Sequence, residues 1–114
     1  IDLVALKYAI RINGVTQLIM MKGDVLTGID TIKVCNQYKT EQGVIHYFPF
    51  DINNESISPQ YIEIPGWKED LTQVNLAEKL PKNFIDYIQF IERELDTPIK
   101  IVSVGPDRKQ TILR

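Results

Sequence analysis

The chain has 114 residues, of which 44% are hydrophobic and 25% are charged, with a formal net charge of −2. This is the balance of an ordinary globular protein, and the length suits one domain, residues 1–114, rather than two. The slightly acidic charge argues against a surface for DNA or RNA, and no apolar run approaches the roughly 18 residues that cross a bilayer. Cys35 is the only cysteine and cannot form an internal disulfide, which fits a cytoplasmic location.

The first residues predict a helix almost from the start of the chain. A natural beginning usually has a few loose residues first, so the start at Ile1 predicts a segment of a longer protein. Asp2 is a good N-cap, and Asn13-Gly14 supplies a left-handed C-cap. The apolar stripe between them is broad, which predicts burial on more than one side of the helix. Its members are Leu3, Ala5, Leu6, Ala9, Ile10 and Ile12.

The central part of the chain alternates short apolar strands with turns. Residues 17–21 predict a buried strand that ends at Lys22-Gly23-Asp24, followed by a helical turn around Val25 and Leu26. Glu41-Gln42-Gly43 predicts a hairpin turn, and the polar residues 49–60 predict a surface loop. The strands predicted after the first one are Thr31–Tyr38, Val44–Phe48 and Tyr61–Ile64.

The last third of the chain predicts one amphipathic helix between polar and apolar segments. Pro81 fits the first turn of this helix, and Thr97-Pro98 ends it. One face carries Phe84, Ile88, Ile91 and Leu95. A buried strand at Ile99–Val104, a turn at Gly105-Pro106-Asp107 and a final strand at Thr111–Leu113 are expected next. Helices that alternate with short apolar strands predict an α/β fold, in which helices flank a layered and partly parallel sheet.

Few residues offer catalytic or metal-binding chemistry. His46 is the only histidine and follows an alternating strand pattern, which favours a structural role. Cys35 lies in an apolar strand and is interpreted as a small buried hydrophobic residue. One histidine and one cysteine argue against a zinc site made by this chain alone, and neither GxxxxGK[ST] nor GxGxxG is present. We therefore expect no catalytic residue and no metal ligand within these 114 residues.

Two polar stretches, Lys22-Gly23-Asp24 and Ser103–Arg108, lie at the carboxyl ends of predicted strands, which is where ligands of open α/β sheets bind. A carboxylate can accept two parallel hydrogen bonds from guanine, each worth about 1.5–3 kcal/mol, whereas adenine presents a repelling lone pair there. The methylene stem of the lysine can lie along the ring face. Residues Ser103–Gly105 can offer backbone N–H groups to the guanine carbonyl. Together the stretches suggest guanine recognition.

Each stretch also has a simpler interpretation. Lys-x-Asp often occurs by chance, so the first stretch can be an ordinary strand end, and Gly-Pro-Asp is an ordinary turn. Trp67 either lies near a substrate or, as we favour, is a partly buried aromatic residue that anchors its loop. Arg108 either approaches a bound nucleotide or, as we favour, pairs with Asp107 or a neighbouring carboxylate.

Five segments in order resemble the adenylosuccinate synthetase family. They are DLVALKYAIRING (2–14), MKGDVLTGIDTIKVC (21–35), IPGWKED (64–70), LPKNFIDYIQFIE (80–92) and IKIVSVGPDRKQTI (99–112). The resemblance implies the C-terminal portion of a P-loop-NTPase-like ligase fold. It also implies that the guanine base of GTP is bound by Lys22, Gly23, Asp24, Ser103, Val104 and Gly105. Family members commonly have threonine at position 21 and a larger residue at position 23, so Gly23 is expected to give this turn more freedom.

In this family GTP drives the joining of IMP and L-aspartate, with Mg²⁺, to form adenylosuccinate on the route to AMP. GTP phosphorylates the 6-oxygen of the purine, and the amine of aspartate then displaces the phosphate. The resemblance implies a cytoplasmic homodimer whose phosphate loop, catalytic residues, Mg²⁺ ligands and IMP contacts lie upstream of Ile1. We therefore expect no turnover by this chain alone. The alternatives are a stand-alone guanine-nucleotide-binding module and a structural module in which Lys22 and Asp24 form an ordinary strand end.

Overall fold

A computed structural model describes residues 1–53 and 56–114, which form two α-helices and two three-stranded sheets. The helices are α1 (Leu3–Asn13) and α2 (Lys82–Leu95). The strands are β1 (Leu18–Met20), β2 (Thr31–Thr40), β3 (Gly43–Ile45), β4 (Ser58–Pro65), β5 (Ile99–Ser103) and β6 (Thr111–Leu113). Short 3₁₀-helices occupy Gly23–Leu26, Leu71–Gln73, Ala77–Lys79 and Arg108–Gln110.

The first sheet has the order β1-β5-β6 and contains the parallel pairing that the alternating pattern predicted. β1 runs parallel to β5, with Met20 opposite Val102, and β6 runs antiparallel to β5. The predicted α/β fold with a partly parallel sheet is thus confirmed. The carboxyl ends of β1 and β5 consequently lie side by side at one edge.

The second sheet has the order β3-β2-β4 and is antiparallel throughout. The predicted loop over 49–60 is wrong at its end, because β4 begins at Ser58, which lies opposite Lys39 on the long strand β2. The predicted strand Val44–Phe48 is also too long, since pairing with β2 ends at Ile45. Asn54 and Glu55, within the predicted loop, lie outside the described residues.

Helix α1 begins and ends where its caps predict. Oδ1 of Asp2 accepts hydrogen bonds from the backbone N–H groups of Val4 (2.9 Å) and Ala5 (3.1 Å), and Gly14 has the left-handed φ of 61°. These bonds satisfy N–H groups that have no partner within the helix.

Two faces of α1 are buried, as the broad stripe predicts. Leu3 and Ile10 belong to the main core, whereas Val4 packs in a smaller cluster with Cys35 and Tyr38. The C-terminal end of the stripe is different, because Ile12 is 63% exposed. Cys35 is 2% exposed, which confirms its interpretation as a buried hydrophobic residue.

Helix α2 packs into the main core through its predicted apolar face. Phe84, Ile88, Ile91 and Leu95 are all buried in the main core. Pro81 precedes the helix as its N-cap residue, so its predicted place in the first turn is off by one position. No helix within the described residues is long and apolar enough to span a membrane.

Trp67 fixes the connection from β4 to α2. It is 1% exposed, and its ring meets the ring of Phe84 edge-on with centroids 4.6 Å apart. Its Nε1–H donates to Oγ1 of Thr27 (3.2 Å), so the polar atom of this buried ring is satisfied. Trp67 thus anchors its loop, as the structural interpretation predicts, but its ring is fully rather than partly buried.

Candidate functional site

The two polar stretches that the sequence singles out meet at the edge where β1 and β5 end. The parallel pairing of β1 and β5 brings their carboxyl ends together, so the chain leaves both strands on the same side. A pocket of about 400 Å³ lies between the two stretches. Its lining comprises Met21, Lys22, Asp24, Val25, Ser103, Gly105, Pro106, Asp107, Arg108 and Thr111.

Four of the six predicted base-binding residues line this pocket and two do not. Lys22, Asp24, Ser103 and Gly105 are at its wall. Val104 points into the core with a fully buried side chain, and its backbone N–H donates to the carbonyl of Gln110 (2.9 Å).

Lys22 makes the turn that carries the chain from β1 into the pocket wall. Its φ of 57° lies in the left-handed region, which costs a residue with a side chain about 1–2 kcal/mol. The 3₁₀-helix Gly23–Leu26 follows at once, and the N–H of Val25 donates to the carbonyl of Lys22 (3.3 Å). The side chain of Lys22 is exposed beside the pocket.

Gly23 has a different role from the one predicted. The described residues with a left-handed φ do not include Gly23, so the turn does not use the conformational freedom of this glycine. Instead, a Cβ at Gly23 would lie 2.6 Å from Cζ of Phe84 and 3.5 Å from the carbonyl oxygen of Ser103. The absence of a side chain at Gly23 allows the ring of Phe84, on α2, to pack directly against the backbone beneath the pocket.

Asp24 presents an unsatisfied acceptor at the pocket. The side chain is half-buried, and its Oδ1 atom is buried without a hydrogen-bond partner in the described part of the chain. Among the residues that the structure describes, Asn36 has the other such atom, but it lies on β2 in the second sheet. Leaving a buried acceptor unpaired costs about 1–3 kcal/mol, and more for a charged group, so a ligand that donates to Asp24 would recover this free energy.

The opposite wall of the pocket is held by its own hydrogen bonds. The hydroxyl of Ser103, which is 5% exposed, donates to the carbonyl of Gly105 (3.0 Å). Asp107 caps the 3₁₀-helix Arg108–Gln110 by accepting from the N–H of Lys109 (2.8 Å). Both contacts lie within the turn, so the shape of this wall is set locally.

Arg108 does not make the ion pair that the sequence suggests. The carboxylate of Asp107 accepts from backbone N–H of Lys109, and the ion pairs among the described residues do not include Arg108. Arg108 is exposed and lines the pocket, as Lys22 does from the other stretch. Lys22 and Arg108 are thus two positively charged side chains at the pocket that form no ion pair within the described residues. The position of Arg108 directly after Gly-Pro-Asp could have indicated its place at the pocket.

The profile of the adenylosuccinate synthetase family matches residues 1–112. The chain belongs to the adenylosuccinate synthetase family.

Curated and solved relatives agree with this assignment. The chain is 60% identical over all 114 residues to the adenylosuccinate synthetases of Christiangramia forsetii and Flavobacterium psychrophilum, and 54% identical to that of Bacteroides fragilis. It covers 27% of each of these proteins, so it spans about a quarter of their length. The structure of fully ligated adenylosuccinate synthetase from Plasmodium falciparum matches all of this chain and 28% of its own, with a TM-score of 0.91 and 34% identity.

The histidine and the cysteine of the chain lie away from the pocket, in or next to the second sheet. His46 is exposed just beyond β3 in the second sheet. Burial raises the pKa of the Cys35 thiol, and the negative charge of Asp2 raises it further. No group of three or more potential metal-ligating side chains forms within residues 1–53 and 56–114.

Proposed function

We propose that this chain is the part of an adenylosuccinate synthetase that holds the guanine base of GTP. The observation that carries the proposal is the buried, unpartnered Oδ1 of Asp24 at a pocket formed by the ends of two parallel strands. Guanine has two adjacent donors, the ring N–H and the exocyclic amine, that suit a carboxylate. Adenine offers a lone pair in place of the ring N–H, so the same carboxylate disfavours it.

The other pocket residues complete a site for a purine nucleotide. Its volume of about 400 Å³ lies within the range of about 300–1,000 Å³ found for small-molecule sites. The stem of Lys22 covers one face of the base while its ammonium group stays in water. Ser103 and Gly105 form the wall beside the guanine carbonyl. Arg108, exposed and without an ion pair in the described chain, adds a positive charge that favours an anionic nucleotide.

The complete protein, in this proposal, uses GTP and Mg²⁺ to join IMP and L-aspartate into adenylosuccinate, and it acts as a cytoplasmic homodimer. The present residues contribute base recognition, and the phosphate loop, catalytic residues and Mg²⁺ ligands belong to other parts of that protein. We therefore expect no adenylosuccinate from the isolated chain supplied with all substrates. Formation of product by the purified chain would contradict this division of roles.

The base-binding role is tested by Asp24→Asn in the complete synthetase. Asparagine cannot accept from both guanine donors, but it pairs with xanthine, which has a carbonyl in place of the exocyclic amine. We expect kcat/KM for GTP to fall about 100-fold, as two charge-assisted bonds are weakened, while the use of XTP rises.

The matched control is Asp107→Asn, which removes the same charge from the same pocket. Asparagine is an equally good N-cap, so the 3₁₀-helix that begins at Arg108 should persist. This variant should keep the preference for GTP over XTP. An unchanged preference in Asp24→Asn would refute guanine recognition by this carboxylate.

A titration of the isolated chain addresses the alternative functions. Amide NMR shifts at Gly23, Asp24, Ser103 and Gly105 with GTP but not ATP would show a preformed base site, and their loss in Asp24→Ala would assign it. A well-dispersed spectrum without shifts would exclude the stand-alone module. A structural role alone predicts that Asp24→Asn changes neither binding nor turnover.

A further inference from the structure

We infer that Gln110 is a positioning residue that fixes the distance between the two walls of the base pocket. The aspartate wall is Lys22–Leu26 and the loop wall is Ser103–Asp107. The inference rests on the proposed function, because it concerns how that pocket is held to fit a base. Gln110 does not line the pocket and is not among the residues expected to bind the base.

The side-chain amide of Gln110 is fixed at both ends. Its Oε1 accepts from the backbone N–H of Asp107 (2.8 Å), and its Nε2 donates to the carbonyl of Thr72 (3.0 Å). Because the first partner is a donor and the second is an acceptor, only one orientation of the amide satisfies both. The backbone carbonyl of Gln110 also accepts from the N–H of Val104 (2.9 Å).

Gln110 also sets the position of Gly105 by contact. A Cβ at Gly105 would lie 2.2 Å from Oε1 of Gln110 and 2.4 Å from its Cδ. No side chain can therefore stand at position 105 while Gln110 keeps its two hydrogen bonds. The amide lies directly against the backbone of the loop wall, on which base recognition depends.

The bond to Thr72 connects the loop wall with the aspartate wall. Thr72 lies in the 3₁₀-helix Leu71–Gln73, which contacts Gly23–Leu26. This short helix is itself firmly placed, because Leu71 is fully buried and Oδ1 of Asp70 accepts from the N–H (2.9 Å) and the hydroxyl (2.7 Å) of Thr72. Gln110 thus reaches, through Thr72, the segment that supports Asp24.

Such a connection controls nucleotide binding because a base must reach both walls at once. Recognition groups need to be held within about 0.5 Å of their productive positions by surrounding hydrogen bonds. If the hydrogen bond to Thr72 is lost, the loop wall can shift relative to Asp24, and the base can no longer form its hydrogen bonds with both walls at once.

The test is Gln110→Met in the complete synthetase, with Lys109→Met as the matched control. Methionine keeps approximately the volume of glutamine against Gly105 but makes neither hydrogen bond, whereas Lys109 is an exposed neighbour in the same short helix. We expect KM for GTP to rise about tenfold in Gln110→Met, as for the loss of one or two hydrogen bonds, with kcat within about twofold. KM for ITP should rise by a similar factor, since inosine keeps the carbonyl that the loop wall contacts, and KM for IMP should not change.

A role confined to folding would lower the melting temperature and the active fraction without a selective rise in KM for GTP. The inference is overturned if KM for GTP in Gln110→Met equals that of Lys109→Met. If the methionine variant does not fold, Gln110→Asn serves instead, because an amide one methylene shorter cannot reach both partners. Failure of the proposed function is distinguishable, since it appears as an unchanged GTP preference in Asp24→Asn.

Discussion

Gly23 packs so closely against Phe84 that a Cβ at position 23 would lie 2.6 Å from Cζ of the phenylalanine. The ring cannot easily retreat, because Phe84 is fully buried and packs edge-on against Trp67 at 4.6 Å between centroids. The absence of a side chain at position 23 is therefore coupled to the size of the residue on α2. A residue with a side chain at position 23 would therefore require the ring of Phe84 to move.

Gly23→Ala is expected to destabilise the protein by about 1–3 kcal/mol, the usual cost of adding a methyl group to a filled core. Chemical denaturation measures the change in the free energy of unfolding. Phe84→Leu should lower the stability by itself, but the double variant should be more stable than the sum of the two effects predicts, because leucine leaves room for the methyl group. Additive effects would show that the ring and the glycine are not coupled.

Local signals in the sequence were sufficient for much of the fold. Asp2 and Gly14 cap α1 as their residue types predict, since the bonds involved reach only a few residues. The position of Lys22 and Ser103 at the same end of the first sheet was also predictable, because parallel strands place their carboxyl ends together.

The features that the sequence did not reveal depend on contacts between distant segments. Ser58 extends β4 because β2 is long enough to pair with it, and the polar residues themselves give no such signal. Likewise the bond from Gln110 to Thr72 joins positions 38 residues apart. No periodicity or spacing rule contains that information, and the same holds for the contact between Gly23 and Phe84.

Arg108→Gln in the complete synthetase should raise KM for GTP several-fold, because it removes a cation beside the pocket. The effect should shrink as salt is added, since exposed charges are screened beyond about 10 Å at 0.1 M ionic strength. Arg108→Lys should preserve most of the affinity. Lys109→Gln is the matched control, with the same loss of charge one position along, and equal effects of the two glutamine variants would argue against a specific contribution from Arg108.

Thr27→Val should destabilise the protein by about 1–2 kcal/mol, because Nε1–H of the buried Trp67 would lose its acceptor. Valine has nearly the shape of threonine, so packing changes little. Thr31→Val, at an exposed strand position, is the control and should have an effect within about 0.5 kcal/mol. If Thr27→Val and the control unfold at the same denaturant concentration, the hydrogen bond contributes nothing to stability.

Tyr38 connects the start of α1 to β2, and we expect it to make the stability of the protein fall at alkaline pH. Its hydroxyl donates to Oδ2 of Asp2 (2.5 Å), while Oδ1 of the same carboxylate caps the helix. Burial raises the pKa of Tyr38, and the hydrogen bond to Asp2 raises it further. Because the folded pKa is above the unfolded value of about 10, the contribution to stability is fully present below about pH 10 and is lost as the pH rises through the folded pKa.

Tyr38→Phe should therefore lower the free energy of unfolding by about 1–2 kcal/mol at pH 8, since the hydrogen bond to the carboxylate is lost. The difference between the two proteins should narrow above pH 10. Burial also raises the pKa of Tyr87, so Tyr38→Phe should still lose some stability at alkaline pH. Tyr87→Phe is the control that removes this second contribution. Denaturation curves at several pH values give the comparison. If the difference in the free energy of unfolding between the two proteins stays constant from pH 8 to strongly alkaline pH, Tyr38 has the same pKa in the folded and unfolded states. Its hydrogen bond to Asp2 would then not cause the pH dependence.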